Sequence, residues 1–69
     1  MGMKYPKLRG AIREKFSTQE AFAEAMEMHQ TTLSRKLAGL TDWTRAEIEK
    51  AVALLGIAAE EVADYFFTG

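Results

Sequence analysis

Apolar residues recur every three or four positions along most of the chain, and this spacing predicts helices. Runs that alternate apolar and polar residues, which are typical of strands, are absent. A chain of 69 residues is long enough for one small domain. We therefore predict a single all-α domain of five helices that covers residues 1–69.

The first helix is predicted to begin near Tyr5 or Pro6, because proline is well tolerated in a first helical turn. Leu8, Ile12 and Phe16 follow at a spacing of four and form one apolar stripe.

The second helix begins at Ser17 or Thr18, and the sequence leaves both open. Ser17 with Glu20 fits a capping box, whereas Thr18 as the cap would make Gln19 the first helical residue. The inward stripe consists of Phe22, Ala25 and Met26.

The remaining helices are delimited by glycines and one clear cap. A third helix is predicted over residues 30–38, followed by Gly39 in the left-handed conformation. The fourth begins at Thr44, which forms a capping box with Glu47, and it ends at Gly56. A short fifth helix covers residues 59–66.

The third helix has two contrasting faces. Leu33 and Leu37 lie on one side of a helical wheel, and Thr31 and Arg35 lie almost opposite, flanked by Ser34. This outward face is small, polar and positively charged, so it suits the major groove of DNA, where arginine can pair with guanine.

The second and third helices are separated by only Glu27, Met28 and His29. A turn of three or four residues between two helices is typical of a helix-turn-helix unit. Met28 lies between two polar residues and is predicted to be an apolar plug that fixes the angle between the helices.

Residues 18–39 resemble the helix-turn-helix of phage repressor and Cro-like regulators. The chain as a whole, including "LLGI" and "EEVADYFF", is similar to short phage-associated regulators of that type. The resemblance implies a five-helix, lambda-repressor-like DNA-binding domain. The positions that carry it are Gln19, Phe22, Ala23, Met26, Met28, Gln30, Thr32, Leu33, Ser34, Arg35 and Gly39.

The resemblance also implies roles for individual residues. Gln19 would hold a DNA phosphate and brace Gln30, and base edges would be contacted by Gln30, Thr31 and Arg35.

Phosphate or the groove wall would be contacted by Thr32 and Ser34, and the DNA backbone by Arg45.

Two departures from the family pattern bear on these roles. Glu27 stands where the family usually has glycine, so the left-handed backbone expected there would be mildly strained. Lys36 and Leu37 stand where many members have an apolar residue and then glutamate. A slight rotation of the third helix would affect the assignment of Arg35 most.

Charge is unevenly distributed, although the net charge is only −1. Residues 1–16 sum to +4, residues 17–29 to −3, residues 30–45 to +2 and the remainder to −4. Only the local potential can therefore steer a partner.

Three adjacent aromatic residues, Tyr65, Phe66 and Phe67, close the last helix. They cannot all face one small core, so they are predicted either to form a dimer contact or to cap the core of the monomer.

Several functions are not expected. The chain has no cysteine and one histidine, His29, so neither a disulfide nor a metal site is predicted, and His29 is expected to be a turn or cap residue. No nucleophile–base pair or glycine-rich phosphate loop is present, so no enzyme activity, cofactor or small-molecule substrate is expected. The longest nearly apolar run, residues 51–59, is too short to cross a membrane, and a cytoplasmic protein is expected.

The sequence-based hypothesis is therefore a transcriptional regulator that binds a double-stranded operator as a homodimer. The alternative is a protein-interaction module, such as an inhibitor or an antitoxin-like partner, that keeps the fold without reading DNA. The net negative charge and the aromatic C-terminal segment favour the alternative.

Overall fold

The computed structural model describes residues 4–67, and the ends of the predicted domain, residues 1–3 and 68–69, lie outside the described residues. The prediction of an all-α fold with five helices is confirmed, and no strand occurs within residues 4–67. The helices are α1 (Pro6–Phe16), α2 (Gln19–Met26), α3 (Gln30–Leu37), α4 (Arg45–Leu55) and α5 (Val62–Phe66), with a 3-10 helix at Ala59–Glu61 before α5.

Helix α1 begins as predicted, with Pro6 in its first turn. Tyr5 precedes it in the left-handed conformation, with φ of 55°. The guanidinium of Arg9 connects the segment before α1 to the end of α3. Its Nε donates to the carbonyl of Lys4 at 2.9 Å, and its Nη2 donates to the carbonyl of Leu37 at 2.9 Å.

The structure decides between the two possible caps of α2. The Thr18 hydroxyl accepts a hydrogen bond from the Ala21 N–H at 3.1 Å, so Thr18 is the cap and Gln19 is the first helical residue. Ser17 does not cap the helix, since it lies in the bend between α1 and α2 at φ of 72°.

The predicted glycine ends of α3 and α4 and the predicted cap of α4 are confirmed, although α3 ends at Leu37 rather than at residue 38, and residues 59–61 form a 3-10 helix rather than part of α5. Gly39, after α3, and Gly56, after α4, adopt the left-handed conformation, with φ of 82° and 67°. The capping box of α4 is complete, because Thr44 Oγ1 accepts from the Glu47 N–H and Glu47 Oε1 accepts from the Thr44 N–H.

One continuous apolar core joins the helices. Helix α2 packs on α1, α3 and α4, while α5 packs on α1. Burying these side chains is the main stabilising contribution in so small a domain. The buried apolar residues are Leu8, Ile12, Phe22, Ala23, Met26, Leu33, Leu37, Ala51, Leu55, Ile57 and Phe66.

All helices within residues 4–67 fall short of the length and apolar character that a membrane span needs.

Candidate interaction surface

The outward side of α3 is a polar surface that no other described element covers. Its residues have exposed side chains that form no hydrogen bond or ion pair within residues 4–67. They are Gln30, Thr31, Thr32, Ser34 and Arg35. We call this surface the α3 face, and it has the outward orientation that the helical wheel predicts.

The opposite side of α3 is fixed by a buried lysine. Lys36 is only 6% exposed, and its Nζ lies 2.9 Å from Glu47 Oε1 and donates to the carbonyl of Asp42 at 2.8 Å. The same Nζ lies 6.0 Å from the centre of the Trp43 ring. Leu37 is fully buried beside it. Lys36 and Leu37, which differ from the pattern of the repressor and Cro-like regulators, therefore lie on the buried side of α3 and leave Arg35 exposed.

This ion pair is not predicted by the sequence. Lys36 follows Leu33 by three residues, so it lies near the buried side of the helix, and Glu47 was recognised only as a cap. Glu47 therefore has two functions, since one carboxylate closes the α4 cap and binds Lys36.

The electrostatic environment of Glu47 favours its charged form. Partial burial alone would raise the pKa of the carboxyl group, but the hydrogen bond from the Thr44 N–H and the adjacent Lys36 ammonium outweigh it. The pKa of Glu47 is consequently lowered from its ordinary value of 4.5.

The turn between α2 and α3 is tightly held. Glu27 has φ of 60° and ψ of 40°, which confirms the left-handed backbone predicted at this position. Its N–H donates to the carbonyl of Glu24 at 3.0 Å, and the N–H of Met28 donates to the carbonyl of Ala23 at 3.0 Å. Met28 is half-buried against the core, and His29 occupies the N-cap position of α3, as its predicted turn or cap role requires.

The two glutamines assigned to DNA do not brace each other. Gln19 lines a cleft of about 370 Å³ between α1 and the start of α2, whereas Gln30 lines a separate groove beside the turn. No hydrogen bond joins their side chains within residues 4–67. The guanidinium of Arg45 is exposed and pairs with Glu49, with Arg45 Nε 3.3 Å from Glu49 Oε2.

Carboxylates lie beside the start of α3. Glu20 and Glu24 are exposed on α2, and neither forms an ion pair within the described part of the chain. In a DNA-bound helix-turn-helix, the first helix crosses the phosphate backbone. Two free carboxylates on that helix would repel phosphates rather than bind them.

The C-terminal aromatic residues do not act as one unit. Phe66 is 4% exposed and packs edge-on against Trp43, with ring centres 5.2 Å apart. Tyr65 is half-buried, and Lys7 Nζ lies 5.8 Å from the centre of its ring. Phe67 is 68% exposed. A dimer contact through these residues stays a prediction. Among the three aromatic residues, Phe67 contributes most of the exposed apolar area.

These features define a small all-α domain with a helix-turn-helix unit whose α3 face is free. The chain belongs to the DUF739 family, described as a protein of unknown function, since the family profile matches residues 1–69. Its fold is similar to the solution structure of the modulator of repression (MOR) of the temperate bacteriophage TP901-1 from Lactococcus lactis. The two are 40% identical over 99% of this chain and 92% of that chain, with a TM-score of 0.84. No curated protein sequence matches the chain significantly.

This similarity corrects the main functional prediction. The relative is a phage regulatory protein named as a modulator of repression, not as a DNA-binding repressor. The prediction that the chain is a sequence-specific DNA-binding repressor or Cro-like regulator is therefore wrong, and the protein-interaction alternative is favoured. The physical reason lies in the helix-turn-helix spacing, which specifies how two helices pack and does not specify what α3 contacts.

Proposed function

We propose that this protein is a non-enzymatic phage regulator that acts on a repressor protein by direct contact. The observation that carries the proposal is the 40% identity, over 99% of the chain, to a modulator of repression. The identity extends over the whole domain and comes with a common fold, with a TM-score of 0.84. A repressor acts on DNA inside the host cell, so the regulator would act in the cytoplasm.

The charges of the α2–α3 unit support a protein partner. The α3 face offers amide and hydroxyl groups and one guanidinium, that of Arg35, and these groups can bind protein as readily as DNA. The neighbouring carboxylates of Glu20 and Glu24 discriminate between the two partners, since they repel phosphates and attract basic side chains.

A calorimetric titration tests the proposal. The intact protein is titrated with the repressor encoded by the same phage and, separately, with duplex DNA that carries the operators of that repressor. We expect saturable binding to the repressor and none to DNA, even at low salt, where nonspecific DNA binding is strongest. Absence of binding to the repressor would refute the proposal, and saturable DNA binding in its place would favour a DNA-binding function.

A further inference from the structure

A groove runs beside the turn between α2 and α3, next to the α3 face. It is open to solvent and has a volume of about 490 Å³. Its lining combines carboxylates on α2 with apolar side chains and the first polar residues of α3. The lining residues are Glu20, Ala21, Ala23, Glu24, Met28, His29 and Gln30. We call it the α2–α3 groove.

One wall of the groove is fixed by backbone hydrogen bonds of the turn. Ala23 is 2% exposed and belongs to the core, and Met28 packs partly against that core. Two backbone hydrogen bonds fix the turn that forms one wall of the groove: the N–H of Glu27 donates to the carbonyl of Glu24, and the N–H of Met28 donates to the carbonyl of Ala23. The turn would therefore need little ordering when a partner binds.

Neither carboxylate of the groove forms an ion pair within residues 4–67. Glu20 and Glu24 are four residues apart on one helix, so they are neighbours on the same side of α2, and like charges at this spacing are destabilising. The ammonium of Lys50 pairs with the third acidic residue of this region, since it lies 3.2 Å from Glu27 Oε1, and it also lies 3.4 Å from the carbonyl oxygen of Met26. A cation from outside would relieve the repulsion between Glu20 and Glu24.

We propose that the α2–α3 groove binds an exposed arginine on a helix or loop of the partner protein. The arginine stem would lie on Met28, and its guanidinium would bind Glu20 and Glu24 through two charge-assisted hydrogen bonds. Gln30 and Thr31, at the adjacent end of the α3 face, would bind polar groups that flank the arginine. This assignment rests on the proposed function and specifies its contact surface.

The test compares two variants with the same change in charge. E20Q/E24Q removes both groove carboxylates, and E60Q/E61Q removes two exposed carboxylates from the 3-10 helix, outside the groove. Binding to the repressor is measured by calorimetry at several salt concentrations. Circular dichroism verifies that each variant is folded, which we expect because glutamine is as good a helix former as glutamate.

We expect E20Q/E24Q to weaken binding at least about tenfold and to reduce its salt dependence, as the loss of charge-assisted hydrogen bonds requires. E60Q/E61Q should bind within about threefold of the wild-type protein, because long-range screened charges contribute little. The groove assignment alone would be overturned if E20Q/E24Q bound the repressor as tightly as the wild-type protein. It would also be overturned if E60Q/E61Q weakened binding as much as E20Q/E24Q does. Absence of wild-type binding to the repressor would overturn the proposed function and the groove with it.

Sedimentation of the protein alone tests a different occupant. If the wild-type protein self-associates and E20Q/E24Q abolishes that association, the groove binds a second copy and the proposed occupant is wrong. We expect E20Q/E24Q to leave sedimentation of the protein unchanged.

Discussion

Replacing Lys36 with methionine tests how α3 is fixed to the rest of the domain. Methionine keeps an unbranched apolar stem beside Trp43 and removes the ammonium group. The substitution deletes the contact with Glu47 at 2.9 Å and the hydrogen bond to Asp42 at 2.8 Å. Glu47 then loses a partner while its carboxylate stays in the α4 cap.

The magnitude depends on how deeply each partner is buried. Breaking a fully buried pair by removing one member costs about 3–5 kcal/mol. The Lys36 side chain is 8% exposed and that of Glu47 is 26% exposed, so water and the Thr44 N–H compensate part of the loss. We expect K36M to lower the free energy of unfolding by about 1–3 kcal/mol. That is a large fraction of the total, because a domain of this length is stable by only about 3–10 kcal/mol.

Urea unfolding followed by the fluorescence of Trp43 measures this change. Trp43 is the only tryptophan, and its ring adjoins both Phe66 and the Lys36 ammonium, so its emission reports on this part of the core. With an m-value of about 1 kcal/mol/M, the midpoint should fall by about 1–3 M urea.

A matched control removes a cation from an exposed pair. Arg45 and Glu49 lie 3.3 Å apart with exposed side chains, so R45M should change the free energy of unfolding by no more than about 0.5 kcal/mol. A double-mutant cycle of K36M with E47Q should give a coupling of at least about 1 kcal/mol. A K36M protein as stable as R45M, or a coupling near zero, would refute the conclusion that this pair anchors α3.

Three further predictions concern caps, the turn and pH. Because the pKa of Glu47 lies below its ordinary value of 4.5, its stabilising effect is fully present above that value and is lost as the pH falls through the folded-state pKa. In urea titrations, the stability advantage of the wild-type protein over E47Q should therefore shrink as the pH falls below 4.5. An advantage independent of pH would contradict this prediction. E27G should raise the free energy of unfolding by about 0.5–1 kcal/mol, since glycine adopts the left-handed conformation without strain. The lost ion pair with Lys50 is exposed, so its loss should cost little stability. A lower urea midpoint for E27G than for the wild-type protein would disprove this. T18A should lower the free energy of unfolding by about 1 kcal/mol because the α2 cap is lost, whereas S17A, the control, should have a smaller effect. If thermal unfolding showed that the two variants lose the same stability, Thr18 would not be the main cap.

The helix boundaries could be predicted because their signals are local. Pro6, Gly39 and the pair of Thr44 with Glu47 each act within a few residues, so the sequence is sufficient to place them. The cap of α2 could not be chosen in advance, because Ser17 and Thr18 both carry a hydroxyl and only the backbone path decides which one caps.

The Lys36–Glu47 pair and the function depend on features that spacing does not reveal. A lysine is almost never buried without a partner, and its partner here lies on another helix, so the pair becomes evident only when the fold brings Lys36 of α3 to Glu47 of α4. The helix-turn-helix pattern led to the right fold and the wrong ligand. The charge of −3 over residues 17–29 was visible in the sequence, but its place beside α3 required the fold.

The most direct measurement is a titration of the ¹⁵N-labelled protein followed by amide chemical shifts. Unlabelled repressor is added to one sample and duplex operator DNA to another. We predict that the repressor shifts the amides of α2, the turn and α3, including those of Glu24, Met28 and Thr31, and that DNA shifts none of them. Shifts of the α3 amides on addition of DNA, with no response to the repressor, would contradict the conclusion that this protein regulates through contact with another protein.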